Sequence, residues 1–299
     1  MSTSQPTTHN AHDAHDVHDR GTRADVRASR LAGKVAIVTG GTRGFGAAIV
    51  SLFVHQGARC VVMDVLASDG WYDAYTIAAP TSASVSAPPE SAYALKADIT
   101  SRASWCTALE TCIHTFGSPP TIIVNNAGWT YSNKPTLDVT DDEFDRVFQV
   151  NVKSVYLSVD VLLPSLLLWN KDDQHDVCWI NIASTAALRP RPGLVWYNAS
   201  KGAVCTATKA LAVEYAPRKV RFNTVCPVAG NTPLLSKFAG SRQAGDSMSA
   251  AQLAQFNASI PMGRLSEGSD IANACLFLAD PASNFITGID LPVDGARCV

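Results

Sequence analysis

The amino-acid sequence predicts an α/β fold, a doubly wound parallel sheet with helices on both faces. Three observations carry the prediction. Short apolar, β-branched runs recur along the chain without polar alternation, as strands buried on both faces require. Segments with helical apolar spacing separate them. The first such strand and helix are joined by a glycine-rich corner, Thr39-Gly40-Gly41-Thr42-Arg43-Gly44-Phe45-Gly46. Unbroken alternation of strand and helix implies parallel strands with right-handed crossovers.

The elements follow in order. Residues 34–39 read as a buried strand. Ala47 to Gln56 is an apolar-periodic helix, closed by Gly57 in the manner of a C-terminal cap. Residues 59–64 form a second strand that ends at Asp64. Residues 67–91 carry Pro80, Pro88 and Pro89 among many Ser, Ala and Thr; they cannot sustain a long helix and read as a short or broken, mobile crossover. A strand over 92–98 ends at Asp98, and a helix covers 101–116. The buried strand 121–125 leads into Asn126-Ala127-Gly128. A helix from 141 is expected to run through Asn151 and on to 168. The strand 178–184 ends at Ser184, and the helix of Tyr197 and Lys201 continues to Tyr215. Residues 219–226 are a strand, 228–262 read as a Gly-, Ser- and Ala-rich lid, and a helix at 268–279 and a strand near 286–293 close the fold.

The chain has 299 residues and is 46% hydrophobic, enough for one large core. Residues 31–299 read as one domain and 1–30 as a tail outside it. The net charge of −2 offers no field that would draw in nucleic acid or an anionic membrane. The most apolar run, 155–169, is broken by Asp160 and Pro164 and is too short to span a bilayer. Eight cysteines are scattered without a Cys-x-x-Cys pair, so no metal centre is expected from spacing. With no signal peptide in the sequence, a reducing cytoplasmic setting is expected. In the tail, His9, His12, His15 and His18 alternate with Asp13, Asp16 and Asp19. The tract reads as a solvated segment with nothing to bury, or else as a metal-binding one. Arg20, Arg23, Arg27 and Arg30 follow, but the interspersed acids argue against a mitochondrial presequence.

Gly40, Gly44 and Gly46 let backbone approach a pyrophosphate closely at a helix N-terminus. Asp64 closes the second strand, where a carboxylate accepts hydrogen bonds from ribose hydroxyls and repels a 2′-phosphate. Val65 follows it, where an arginine would favour the phosphorylated cofactor. Arg43 in the turn pulls the other way. The balance predicts NAD(H) over NADP(H).

Tyr197 and Lys201 stand four positions apart and share a helix face. Alone, such a pair is an ordinary surface contact. Its placement opposite Ser184, at the carboxyl end of a buried strand, changes the reading, because ligand sites of open α/β sheets lie at that edge. A cation beside a phenol favours the phenolate and fits the tyrosine for proton transfer to or from an alcohol oxygen.

With these residues in hand, the chain resembles the short-chain dehydrogenase/reductase family in its single-domain form. The resemblance spans residues 31–296 and rests on Thr39–Gly46, Asn125-Asn126-Ala127-Gly128, Ser184, Tyr197 with Lys201, and Ile286-Thr287-Gly288 through Val293-Asp294-Gly295. It implies a Rossmann-like fold and a set of roles. Tyr197 would be the general acid/base, Lys201 would hold the nicotinamide ribose and lower the tyrosine pKa, and Ser184 would bond the substrate oxygen. Asn151 would order a water in a proton relay, or else be a helix asparagine with only local bonds. Gly40, Thr42, Gly44, Phe45, Gly46, Asp64 and Val65 would bind the cofactor, and Arg43 would either join them at a 2′-phosphate or simply point to solvent. Asp98 and Ile99 would meet adenine. Asn125 would be the residue after which backbone lines the cofactor cleft, Thr232 would lie near the carboxamide, and Ala127, Gly128, Pro227 and Val228 would also meet the cofactor. Pro227-Val228-Ala229-Gly230 stands where the family usually has Pro-Gly. The resemblance also implies a homotetramer, which the apolar residues of the helix over 141–168 and of the helix carrying Tyr197 suit.

The function expected is NAD(H)-dependent interconversion of an alcohol and a ketone. The alternatives are an NADP(H)-dependent carbonyl or 3-oxoacyl reductase and a non-catalytic NAD-binding protein. Trp129, Leu188, Val195, Trp196, Leu235, Phe238 and Phe256 are candidates for an apolar pocket wall, or for ordinary packing. Together they suggest a hydrophobic substrate such as a terpenoid or polyketide intermediate. Arg189 and Arg191 flank the mouth, either to meet a carboxylate or simply solvated.

Overall fold

The computed structural model describes residues 1, 29–74, 90–241 and 248–299. Its first half comprises β1 (Val35–Thr39), α1 (Gly44–His55), β2 (Arg59–Asp64), β3 (Gly70–Trp71), β4 (Ala92–Lys96), α2 (Arg102–Phe116) and β5 (Ile122–Asn125). Then come α3 (Asp141–Phe148), a π-helical turn (Gln149–Lys153), α4 (Ser154–Trp169), β6 (Val177–Ile182), α5 (Thr185–Leu188) and α6 (Val195–Tyr215). The chain closes with β7 (Val220–Pro227), α7 (Leu235–Phe238), α8 (Ala250–Ala258), α9 (Gly268–Ala279) and β8 (Asp290–Val293).

The strands form one sheet in the order β3-β4-β2-β1-β5-β6-β7-β8. All neighbours run parallel except β3, which pairs antiparallel with β4 at the edge. The chain winds outward from β1 through β2 to β4, then returns to lay β5 on the other side of β1. That reversal leaves a crevice at the carboxyl ends of the strands, between β1 and β5.

Successive strand residues face opposite sides of the sheet. On one face Ala36, Val38, Val62, Val124 and Ile180 pack against Ile49, Phe53, Ile271 and Leu276 of α1 and α9. On the other, Ile37, Val61, Ile123, Trp179 and Phe222 pack against Trp105, Cys112, Leu162 and Leu166 of α2 and α4. The Trp179 and Phe222 rings stack at 5.0 Å across neighbouring strands. Asp141–Trp169 is long and apolar enough to cross a membrane by length and composition, but its inner face belongs to this second core.

Several boundaries differ from the sequence expectation. The helix expected to be continuous over 141–168 widens into the π turn at Gln149–Lys153, which puts buried Asn151 on the inner side. The strand expected to reach Ser184 stops at Ile182, and Ser184 instead caps α5, its hydroxyl accepting from Ala186 N at 3.1 Å. The 67–91 segment contributes β3; residues 75–89 lie outside the described residues. The 228–262 segment holds α7 and α8, the latter opened by a Ser249–Gln252 capping box, with 242–247 outside the described residues. The histidine tract falls within residues 2–28, also outside them. Arg30, at the end of the expected tail, ion-pairs with Asp280 and so already belongs to the folded body.

Candidate active site

The crevice is a cleft of about 710 Å³ that runs from the glycine turn to Phe238 and Phe256. At one end it fits a dinucleotide. Gly46 leaves no room for a side chain, since a Cβ there would lie 2.1 Å from Gly40 O. The turn therefore folds flat on itself. Asn126 pins it from β5, its Nδ2 donating to Thr39 O at 2.8 Å and Gly40 O at 3.1 Å. Arg43 takes the N-cap position of α1 without a side-chain cap, and no acidic residue stands in the first turn. The helix N-terminus thus keeps its free amides and partial positive charge for an anion.

Asp64 is buried at the end of β2, on the cleft wall. Its Oδ2 accepts from Thr42 Oγ1 at 2.5 Å and Thr42 N at 3.2 Å, and its Oδ1 from Leu66 N at 3.0 Å. The carboxylate is thereby held rigid at the place expected for a ribose. Val65 and Arg43 are exposed beside it, on the same wall. Asp98 and Ile99 line the cleft from the end of β4, with Asp98 Oδ1 held by Thr100 N and Oγ1 at 2.9 and 2.8 Å.

Gly40, Gly44, Phe45, Ala127, Gly128, Pro227, Val228 and Thr232 also line the cleft as expected. Thr42, Gly46, Asn125 and Asn151 do not. Thr42 acts by holding Asp64, and Gly46 by closing the turn. Asn125 faces the interior of the sheet, its Nδ2 donating to Ser158 Oγ at 2.9 Å and Asn181 Oδ1 at 2.8 Å. Its part is to tie β5 to β6 and α4. The Val228 departure costs no geometry: Val228 N donates to Val293 O at 3.1 Å and prolongs the β7–β8 pairing. Gly230 then admits the Phe45 ring, whose Cζ would lie 2.2 Å from a Cβ.

Ser184, Tyr197 and Lys201 meet at the centre of the cleft. Burial pushes the Tyr197 phenol above its ordinary pKa, while the facing Ser184 hydroxyl and then the Arg191 charge pull it back down. Lys201 is buried, and that burial lowers its ammonium from 10.5 to about 8. Its Nζ lies 5.9 Å from the Tyr197 ring centre and donates to Ile182 O at 2.8 Å. The ammonium is thus turned to a strand-end carbonyl. Ser184 and Arg191 are the groups that here draw the phenol's pKa down against its burial.

Asn151 makes a closed set of bonds. Its Oδ1 accepts from Trp129 N at 2.8 Å, and its Nδ2 donates to Trp129 O and Ser200 Oγ, both at 3.0 Å. It clamps the loop after β5 to the helix carrying Lys201.

Of the expected pocket wall, Trp129, Phe238 and Phe256 line the cleft, as do Arg189 and Arg191. Leu188 and Val195 are exposed away from it, Trp196 packs edge-on against Phe144 at 5.2 Å, and Leu235 faces a neighbouring hollow. Sequence reasoning missed Arg146, which lies 4.7 Å over Trp129, and Arg297, which enters the cleft from near the carboxyl end. Their positions depend on contacts between distant segments. It also missed the gathering of Cys205, Cys226 and Asp290, whose ligand atoms lie within 4.8 Å of one another. Three different elements supply them, so no local spacing signals the cluster. Asp290 there is already engaged by Lys209 and, at 2.5 Å, by Thr224 Oγ1.

A crevice shaped for a dinucleotide, ending on a buried tyrosine and lysine and a half-buried serine, defines an NAD(P)-dependent oxidoreductase. Comparison with known proteins agrees. Residues 40–296 match the family described as enoyl-(acyl carrier protein) reductase. The chain is 40% identical to the 4-formylbenzenesulfonate dehydrogenase of Comamonas testosteroni over 88% of its own length and 97% of that protein's. It is 34% identical to the NADP-dependent (R)-specific alcohol dehydrogenase of Lentilactobacillus kefiri, over 89% of this chain and 97% of the other. Among solved structures it is similar to a 3-ketoacyl-(acyl-carrier-protein) reductase from Brucella melitensis complexed with NADH, with a TM-score of 0.75 and 38% identity over 90% of this chain and all of that one. The chain belongs to the short-chain dehydrogenase/reductase family.

Proposed function

We propose that the protein is an NAD(H)-dependent alcohol dehydrogenase or ketone reductase acting on a hydrophobic, ring-bearing small molecule. The observation that carries the reading is the buried Tyr197 facing Ser184 in the cleft, with Lys201 one helical turn behind it. A nicotinamide cofactor bound in the cleft would supply or accept the hydride. In the reducing direction Ser184 and Tyr197 donate hydrogen bonds to the carbonyl oxygen, and Tyr197 gives up its proton as charge develops there. In the oxidising direction Tyr197 takes the proton from the alcohol. Burial lowers the Lys201 ammonium to about 8, which supports a part for it in returning a proton to the phenol. Asn151 acts through position, holding Trp129 and Ser200.

Preference for NAD(H) is supported by the rigid Asp64 carboxylate, which would stand against a 2′-phosphate, and by Val65 beside it. The ring-bearing substrate is supported by the aromatic wall of Trp129, Phe238 and Phe256 and by the aromatic aldehyde named in one relative.

The test is NADH oxidation with a panel of cyclic and aryl ketones, for the wild type and Tyr197→Phe. Only a hydroxyl is removed, so cofactor binding is retained while turnover falls about 10²–10⁴-fold. A variant that keeps more than about a tenth of wild-type kcat removes Tyr197 from the acid/base role.

A further inference from the structure

Arg191 stands on the loop between α5 and α6. Asn198, one residue past Tyr197, donates its Nδ2 to the Arg191 carbonyl at 2.8 Å and fixes this loop to the catalytic helix. The guanidinium lines the cleft over two rings, its Cζ 5.0 Å from the Phe238 centre and 5.7 Å from the Phe256 centre. Phe238 is in turn 5.6 Å from the Tyr197 ring. The cation is therefore about one aromatic ring away from the proton-transfer group.

Among the described residues, no carboxylate pairs with it. The carboxylates on the cleft wall, Asp64 and Asp98, sit at the cofactor end and hold donors of their own. Two further cations share the space instead. Arg297 lines the cleft, and Arg189 donates its Nη1 to the Arg297 carbonyl at 2.6 Å. Burial, and the neighbouring Arg297 charge, lower the Arg191 pKa from its ordinary value. A partly desolvated guanidinium that faces rings and like charges is costly until an anion meets it. Its fork of donors matches two oxygens of one oxyanion.

We propose that Arg191 anchors an anionic group, a carboxylate or sulfonate, of an aromatic substrate whose ring lies against Phe238 and whose carbinol or carbonyl carbon reaches Tyr197 and Ser184. The anchor rests on the oxidoreductase reading above and names the substrate class of that same site. Arg189 and Arg297 add a positive field that draws the acid in. The ring between anchor and reacting carbon is held by stacking, so the distance between the substrate's two polar ends is itself selected.

Binding and turnover test the two readings separately. Calorimetric titration of the NAD-loaded protein with benzoate, benzenesulfonate and acetophenone probes the anchor without chemistry. The two acids are expected to bind about tenfold or more tightly than the neutral ketone. Arg191→Gln is expected to remove that preference, Arg191→Lys to keep part of it, and added salt to weaken it in the wild type. Retention of the preference for one acid alone identifies which oxyanion the fork accepts. Equal binding of acids and ketone, or a preference that survives in both variants, overturns the anchor. Turnover of 4-acetylbenzoate against its methyl ester gives the second arm. Equal kcat/KM for both keeps the oxidoreductase and overturns the anchor. Acid-selective binding lost in Arg191→Gln, with no reduction of either ketone, keeps the anchor and overturns the oxidoreductase reading.

Discussion

Lys201→Met should stabilise the cofactor-free protein while removing its activity. The ammonium is buried at 5% exposure, and that burial lowers its pKa from 10.5 to about 8. A displacement of this size makes the charged lysine cost the folded state about 3 kcal/mol at neutral pH. Methionine removes that cost but orphans the Ile182 carbonyl, which now accepts from Nζ at 2.8 Å. Losing that bond returns about 1–3 kcal/mol of destabilisation, leaving a net gain of about 1 kcal/mol at pH 7. The sign of the pH dependence follows. Below pH 8 the lysine is protonated in both folded and unfolded chains, so the cost is full. Between 8 and 10.5 the unfolded chain holds a proton that the folded one has released, so wild-type stability rises with pH relative to the variant. Urea denaturation of both proteins at pH 7 and pH 10 should therefore show the variant's advantage falling by about 2–3 kcal/mol and changing sign. A stability difference that is the same at both pH values would refute the argument, because it would mean that Lys201 pays no desolvation penalty.

Three further outcomes follow from the geometry. Asp64→Ala with Val65→Arg should move the kcat/KM preference from NADH towards NADPH, and equal wild-type values for the two cofactors would show that Arg43 outweighs Asp64. Deleting residues 2–28, which spares Arg30 and its pair with Asp280, should leave melting temperature and turnover unchanged; a metal-dependent loss of activity would revive the metal-binding reading of the histidine tract. Sedimentation at micromolar concentration should show a homotetramer, since Tyr156 on α4 and Val213 on α6 are exposed apolar side chains on helices that hold Asn151's neighbours and Lys201; a fully active monomer would refute it.

The sheet was legible because strands buried on both faces leave short continuous apolar runs, and each run read as a strand became one within a few residues. The π turn was not, since one extra residue per turn barely disturbs helical apolar spacing over a single turn. Yet it decides where Asn151 points. α8 announced itself by Ser249 and Gln252 at capping-box spacing, a signal outweighed by the Gly- and Ser-rich composition around it. Ser184, Tyr197 and Lys201 were readable from spacing within one strand–helix unit. Arg191 was visible as a residue but not as a cation set over two rings with no carboxylate pair among the described residues, because that depends on Phe238, Phe256 and Arg297 from three other segments. Asn125 showed the opposite limit: its motif was recognised, but the direction of its side chain is set by Ser158 and Asn181, far off in sequence.

The bonds of Asn151 have a consequence for how such a protein can diversify. Through one amide, the loop of Trp129, the π turn and the helix of Tyr197 and Lys201 are welded into a single frame. Phe256 belongs to no such frame: it sits on α8, which buries none of its nine residues. The molecule thus joins a braced frame that carries Tyr197 and Lys201 to an exposed helix that carries Phe256. Substitutions on α8 should therefore cost the fold little, whereas a change at Asn151 should loosen the Trp129 loop and the helix of Lys201 at once.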